Sequence, residues 1–198
     1  MTTVPTLSVP PAAVRTVDGL ALPVAGTWEI DPGHAEVAFV GRHFMITKVR
    51  GTFPDVRGSV VVAEDPADSR VDVVIGTASV STGNPARDEH LRSPELFDVE
   101  RWPEATFRSV SVVWHGTTGV VLGDLTIHGV TRRVPLEVSF QGAVRDPWGG
   151  DRAVFSAGTQ IDRYDFGLTW NAALEAGGVL VSRDIRIEIE VETVLRRP

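Results

Sequence analysis

Residues 184–195 read DIRIEIEVETVL, and this stretch decides the fold class. Aliphatic side chains recur at every second position, and charged side chains occupy the positions between them. Because successive side chains of a β-strand point to opposite faces of the sheet, the alternation predicts a strand with one buried and one solvated face. The predicted buried positions are Ile185, Ile187, Ile189 and Val191, and the solvated ones are Arg186, Glu188, Glu190 and Glu192.

The same alternation recurs upstream. Residues 134–140 place Val, Leu, Val and Phe on one face, and Pro135 marks an edge, a bulge or a strand start because it cannot donate to a ladder. Turn residues separate several further segments of this kind. These segments cover residues 36–40, 49–63, 70–80, 105–114, 120–128 and 153–161, which brings the expected total to about eight strands.

Two segments interrupt the strand pattern. Residues 85–91 are polar and permit a helix, with Asn84 as its cap and Pro85 at the first helical position. Residues 163–170 contain aromatic side chains at mixed spacing and are predicted to form a short helix or an irregular plug.

The length of the strands favours a barrel over a sandwich. Some predicted strands reach about 12 residues, against a usual length of about 5–6. A closed set of eight strands removes both sheet edges and leaves an interior wide enough for side chains or one slender ligand. We therefore predict an all-β fold, an eight-stranded antiparallel barrel with one or two short helices.

Length and charge restrict the domain organisation and the partners. With 198 residues the chain suits one domain, and we interpret residues 1–25 as an extended N-terminal arm and residues 26–198 as the barrel. The net charge of −7 argues against a nucleic-acid partner, which would require clustered Lys and Arg. It also disfavours adsorption to anionic membranes, and only a local basic patch would reverse that expectation.

Cysteine and apolar runs are absent from the sequence. A chain without cysteine has no disulfide and no thiolate site. The sequence lacks a signal-peptide pattern and any run approaching the roughly 20 apolar residues of a membrane span. The sequence therefore predicts a cytoplasmic protein without an integral membrane span, in which any bound lipid must be enclosed.

Motifs recur in order from about residue 27 to residue 195. The most specific is STGN at 81–84, followed by RDEHLRS at 87–93 and LFD at 96–98. The others are WEIDPGH at 28–34, RHF at 42–44, VRGTF at 49–53, TFRS at 106–109, GDLTIHGVT at 123–131 and IDRYDFGL at 161–168. Together they resemble the YceI-like family of bacterial lipid-binding proteins. The resemblance implies a lipocalin-like barrel whose tube holds a polyisoprenoid or similar long-chain amphiphile, and it implies a homodimer.

Polar residues near the expected mouth of the tube are candidates for binding the ligand head group. They are Arg42, His43, Arg87, Asp88 and His90. Imidazole, guanidinium and carboxylate groups offer directed hydrogen bonds to such a head. A structural alternative stays open, in which Asp88 caps a short helix and Arg87 forms an ion pair.

Apolar side chains on several strands are candidates for lining the tube. They are Phe39, Phe107, Leu125, Ile127, Ile187 and Ile189. Burial of apolar surface contributes about 25 cal/mol per Å², so a long aliphatic chain would bind without any charged contact.

Other chemistries have weak support in the sequence. The five histidines lack metal-ligand spacing, and neither a Gly-x-Ser-x-Gly elbow nor a phosphate-binding glycine motif is present. We assign no catalytic residue, no metal site and no cofactor, and we expect a binding protein. Two alternatives remain, an enzyme that uses His90 or Asp88 as its acid or base, and a scaffold whose tube is filled by side chains.

Overall fold

The computed structural model describes residues 13–44, 46–172 and 180–197. Within these ranges the chain forms eleven β-strands, one α-helix and three short 3₁₀ helices. The strands are β1 (Val14–Val17), β2 (Leu20–Pro23), β3 (Gly26–His43), β4 (Thr47–Phe53), β5 (Val56–Val62), β6 (Arg70–Gly76), β7 (Glu104–His115), β8 (Thr118–Ile127), β9 (Val130–Arg145), β10 (Asp151–Asp162) and β11 (Asp184–Leu195). The helix is α1 (Pro85–Arg92), and the 3₁₀ helices are Pro66–Asp68, Thr77–Ser79 and Arg163–Phe166.

Strands β3 to β11 form one antiparallel sheet that closes on itself. The order is β11-β10-β9-β8-β7-β6-β5-β3-β4, and the additional pairing of β11 with β3 completes the ring. Strands β4 and β5 both pair with the long strand β3, one with each half of it. Counted as one interrupted strand, they leave eight positions around the barrel, which confirms the predicted closed eight-stranded architecture.

The interruption between β4 and β5 corrects one detail of the prediction. Residues 49–63 were expected to form a continuous strand, which is wrong, because the ladder stops at Phe53 and resumes at Val56. Pro54 lies in the gap and has no N–H to donate to a neighbouring strand. The predicted strand over residues 36–40 was also too short, since β3 runs from Gly26 to His43.

The C-terminal strand has the predicted alternation. Ile185, Ile187, Ile189 and Val191 face the interior of the barrel, where they belong to its apolar lining. β11 pairs with β10 over eleven positions and with β3 on its other side. The strand that identifies the fold class in the sequence is therefore also the strand that closes the barrel.

A β-hairpin covers one end of the barrel. β1 and β2 are joined by Asp18 and Gly19, both with positive φ, as a two-residue hairpin turn requires. Leu22 on β2 is buried against Trp28 and neighbouring core side chains. This hairpin lies within the predicted N-terminal arm, whose first twelve residues fall outside the described part of the chain. The division at residue 25 stays a prediction.

The opposite end carries α1 and the 3₁₀ helix at Arg163–Phe166. The Asn84 side chain accepts a hydrogen bond from the backbone N–H of Arg87, and Pro85 occupies the first turn, as predicted. The 3₁₀ helix at Arg163–Phe166 ends at Gly167, which has a φ of 77°. These segments form the rim of the second end, called the mouth below.

An ion-pair network on the outer wall fixes a bulge in β3. The register between β3 and β11 shifts there, so that residues 31–34 bulge out of the ladder. Arg152 on β10 donates to Asp31 at 2.6 Å, to Asp146 at 3.0 Å and to Glu192 at 3.2 Å. The hydrogen bonds from Arg152 and from His34 lower the pKa of Asp31 from 3.8 to about 2.

We expect this network to make stability depend on acid pH. The pKa of Asp31 is lower in the folded state than in the unfolded state, so its contribution is complete above pH 4 and is lost as the pH falls towards 2. The contribution should be about 1–2 kcal/mol. Denaturant titrations of wild type and Asp31→Asn at several pH values should show a stability difference that shrinks below pH 4.

An exposed ion pair provides the control for that titration. Asp72 lies 3.3 Å from Arg108, and both side chains are more than half exposed. Because exposed pairs contribute little, Asp72→Asn should change stability by less than about 0.5 kcal/mol at every pH. A constant difference between wild type and Asp31→Asn from pH 2 to pH 6 would contradict the assignment.

Candidate functional site

The barrel encloses an apolar cavity of about 870 Å³. It extends from the N-terminal hairpin, where Leu22 and Pro23 form its floor, to the mouth. Inward-facing side chains of the barrel strands supply its wall, because every second residue of each strand points to the interior. The cavity is as large as the pockets that bury a drug-sized ligand, which span about 300–1,000 Å³.

All six predicted tail-lining residues lie on the wall of this cavity. Phe39 comes from β3, Phe107 from β7, Leu125 and Ile127 from β8, and Ile187 and Ile189 from β11. Alternation along separate strands therefore brings together side chains that lie up to 150 residues apart in the sequence. Their role in binding a ligand stays a prediction.

Two further aromatic residues extend this wall towards the mouth. The ring of Phe53 lies 5.6 Å from that of Phe39 and 5.5 Å from that of Phe97. All three line the cavity. Phe53 and Phe97 were not among the predicted lining residues, because neither lies in a stretch with clear alternation.

Four of the five predicted head-group residues lie at the mouth and line the cavity there: Arg42, His43, Arg87 and His90. Arg87 Nε donates to Thr82 Oγ1 at 2.7 Å. The His90 ring packs edge to face against Trp170, with the two ring centroids 4.4 Å apart. Nε2 of His90 lies 2.8 Å from Oε2 of Glu95. The mouth therefore offers polar groups at the rim of an otherwise apolar cavity.

Comparison with known proteins places this geometry in a family. The YceI-like domain matches residues 28–193. The chain belongs to the YceI-like family. A UPF0312 protein from Photorhabdus laumondii is 41% identical over 170 residues, which span 84% of this chain and 86% of that relative.

Solved structures share the YceI-like fold. The YCEI protein of Campylobacter jejuni superposes with a TM-score of 0.67 at 30% identity, covering 79% of this chain and 90% of its own. A polyisoprenoid binding domain from Saccharophagus degradans has a TM-score of 0.63 at 15% identity, covering 87% of this chain and 100% of its own. At that identity the second likeness shows the fold alone.

Asp88 is the predicted head-group residue that the YceI-like barrel does not bring to the cavity. It is buried, and its carboxylate accepts from the backbone N–H of Thr82 at 2.8 Å and from the Thr82 hydroxyl. Burial by itself would raise the pKa of Asp88, but these hydrogen bonds and the guanidinium groups of Arg92 and Arg87 outweigh burial and lower it. Asp88 therefore holds the segment before α1 in place as an ionised group.

Arg163 is a residue at the mouth that the sequence analysis missed. It is 5% exposed and lines the cavity beside Leu168. Its Nε donates to the Ser182 carbonyl at 3.0 Å and its Nη1 to the Leu168 carbonyl, whereas Nη2 has no hydrogen-bond partner among the described residues. Burial lowers the pKa of its guanidinium. Its place in the RYDF segment gave no signal of burial, because arginine is rarely buried.

Neither a metal centre nor a membrane-spanning helix is found in the described structure. Within residues 13–44, 46–172 and 180–197, no three His, Cys, Asp or Glu side chains come together in an arrangement that would hold a metal ion. No helix formed by those residues is long and apolar enough to cross a membrane.

Proposed function

We propose that this YceI-like barrel binds a long-chain isoprenoid or a similar amphiphilic lipid in its cavity, for transport, storage or sensing. The observation that carries the proposal is the apolar cavity of about 870 Å³, which opens at the mouth. The name of the Saccharophagus degradans domain, a polyisoprenoid binding domain of the same fold, supports it.

The volume of the cavity suits a long hydrocarbon chain. A water molecule takes about 30 Å³ in the liquid and a methylene group is of similar size, so the cavity has room for roughly 25–30 carbon atoms. Each buried methylene contributes about 0.8 kcal/mol, and a chain of that length would bind tightly without a charged contact. A scaffold filled by its own side chains, one of the alternatives, is incompatible with a cavity of this size.

The polar residues at the mouth are proposed to bind the head group. Arg42, His43, Arg87 and His90 lie where a chain inserted from the mouth would end. Asp88 contributes indirectly, because it positions Thr82, whose side chain also lines the cavity.

The chain is proposed to act as a carrier and not as a catalyst. An acid or base at the mouth would need a group free to exchange a proton with a substrate. Asp88 is held ionised and bonded to Thr82, and its carboxylate does not line the cavity, so it does not favour the enzyme alternative. The assay below with the His90 variant decides for the remaining candidate.

Uptake of a fluorescent isoprenoid by the purified protein tests the proposed function. We expect saturable binding of one molecule per chain, because one tail fills the cavity, and we expect native mass spectrometry to detect a lipid in protein purified from its host. A barrel repeatedly found empty, and unable to take up the labelled chain, would contradict the proposal.

Variants at the mouth separate a carrier from an enzyme in the same assay. His90→Ala and Asp88→Asn should retain most of the affinity, since the tail supplies most of the binding free energy. For an enzyme, the same variants would abolish turnover of a hydrophobic substrate.

Two further expectations stay predictions. The homodimer is implied only by resemblance, and the cytoplasmic location rests only on the sequence. Sedimentation equilibrium and fractionation of host cells would test them.

A further inference from the structure

The turn between β3 and β4 carries two large apolar side chains that face solvent. Phe44 is 47% exposed and Ile46 is 77% exposed. The turn lies at the rim of the mouth, where Phe44 also lines the cavity and its backbone N–H bonds to the Leu180 carbonyl. We call Arg42, Phe44, Ile46 and Lys48 the mouth tip.

The mouth tip is basic in an otherwise acidic chain. Residues 42–50, RHFMITKVR, contain three cations and no carboxylate, whereas the whole chain has a net charge of −7. Arg50 is paired with Glu36. In the described ranges, Arg42 and Lys48 take part in no ion pair, which leaves two cations beside the exposed apolar side chains.

The register of the two strands adds to this observation. Arg42 on β3 and Lys48 on β4 are directly opposite each other in the ladder. Like charges at such positions destabilise an antiparallel pair. An anionic surface that contacts both side chains would remove this repulsion.

The opposite end of the barrel differs in charge. Trp148 is 87% exposed in the turn between β9 and β10, so an exposed large apolar residue is not confined to the mouth. Arg145 and Asp146 precede it, Asp151 and Arg152 follow it, and the two arginines pair with the two carboxylates, so this turn has no net charge and no unpaired cation. Of these two turns, as far as their residues are described, only the turn between β3 and β4 combines exposed apolar side chains with unpaired cations.

We propose that the mouth tip docks the barrel onto a lipid bilayer with anionic head groups. Apolar side chains flanked by cations are the composition of segments that insert at a membrane interface. Docking in this orientation would place the cavity mouth against the bilayer, so that a lipid tail passes between them without entering water. The inference rests on the proposed lipid-binding function and deepens it by assigning the surface that meets the donor membrane.

Vesicle co-sedimentation of the full chain tests the electrostatic part. We expect binding to vesicles of phosphatidylcholine and phosphatidylglycerol in equal parts, weaker binding to phosphatidylcholine alone, and a loss of binding in high salt. Lys48→Glu changes the charge by two units and should weaken binding at least about tenfold, since each basic side chain near an anionic surface contributes roughly fivefold. Arg70→Glu makes the same change on an exposed residue at the hairpin end and should have little effect.

A second pair of variants tests the apolar part. Ile46 does not line the cavity, so Ile46→Ser should weaken vesicle binding several-fold and leave isoprenoid uptake unchanged. Trp148→Ser removes an exposed aromatic residue at the far end and should leave both unchanged. Equal vesicle binding by wild type, Ile46→Ser and Lys48→Glu would overturn the inference, as would an equal loss caused by Arg70→Glu.

The two proposals fail in different assays. Isoprenoid uptake is measured without vesicles, and vesicle binding is measured without isoprenoid. Uptake without docking refutes the mouth tip as a membrane surface and leaves lipid binding intact. Docking without uptake refutes the proposed lipid cavity.

Discussion

Replacing Ala157 with tryptophan is expected to lower the affinity for an isoprenoid at least about 100-fold. Ala157 lies on β10, opposite Val138 on β9 and Ile189 on β11, and lines the cavity. An indole ring at this position would extend across the bore and exclude part of the tail. Exclusion of three or four methylene groups costs about 3 kcal/mol, which corresponds to roughly 100-fold in the dissociation constant.

The neighbouring residue provides a matched control. Ser156 lies on the same strand, but its side chain points outward, where Oγ accepts a hydrogen bond from Gln141 at 2.8 Å. Ser156→Trp adds the same ring to the outer surface and should bind the tail like wild type. Dissociation constants from fluorescence titration compare the three proteins, and thermal unfolding verifies that each is folded. Unchanged affinity in Ala157→Trp would show that the tail does not occupy this part of the bore.

The strands and their inward faces were predictable because they depend on a local rule, whereas the closed barrel was inferred from the number and length of the strands. On β11, β10 and β9, alternation of apolar and polar residues reports directly which side chains face the interior. That rule needs no knowledge of the neighbouring strand, which is why the lining residues Ile187 and Ile189 could be identified from the sequence.

The mouth was harder to predict because it is assembled from distant segments. Arg42, Arg87 and Arg163 come from β3, α1 and a 3₁₀ helix, and no periodic pattern links them. Arg42 was predicted from its place at the end of a strand, and Arg87 from the cluster of ionisable residues at positions 87–90. Arg163 was missed, since burial of its guanidinium depends on the carbonyl groups of Ser182 and Leu168.

Asp88 shows the same difficulty in reverse. Asp88 was predicted to contact the ligand because it lies next to Arg87 in the sequence. Its carboxylate instead accepts hydrogen bonds from Thr82, six residues earlier. Side-chain direction in the first turn of a short helix depends on where the preceding loop runs. The sequence contains no local rule that fixes that course.

Replacing Trp28 with alanine is expected to destabilise the barrel by about 3–5 kcal/mol. Trp28 has no exposed surface, and it packs in the core beneath the N-terminal hairpin with Leu22 and Phe140. Its Nε1 donates to the Val24 carbonyl at 3.1 Å, which ties the hairpin segment to the barrel. The substitution leaves a large void and also removes this bond, so both the closed end of the cavity and the core are affected.

Denaturant unfolding with matched variants separates these two contributions. Trp28→Phe keeps most of the apolar volume but loses the hydrogen bond, and should cost about 1–2 kcal/mol. Trp148→Ala removes a tryptophan that is 87% exposed and should change the free energy of unfolding by less than about 0.5 kcal/mol. Because the hairpin forms the floor of the cavity, Trp28→Ala should also weaken isoprenoid binding under conditions in which the protein is still folded. If Trp28→Ala unfolded at the same denaturant concentration as Trp148→Ala, the packing of Trp28 against the hairpin and its hydrogen bond to Val24 would contribute nothing to the stability of the barrel.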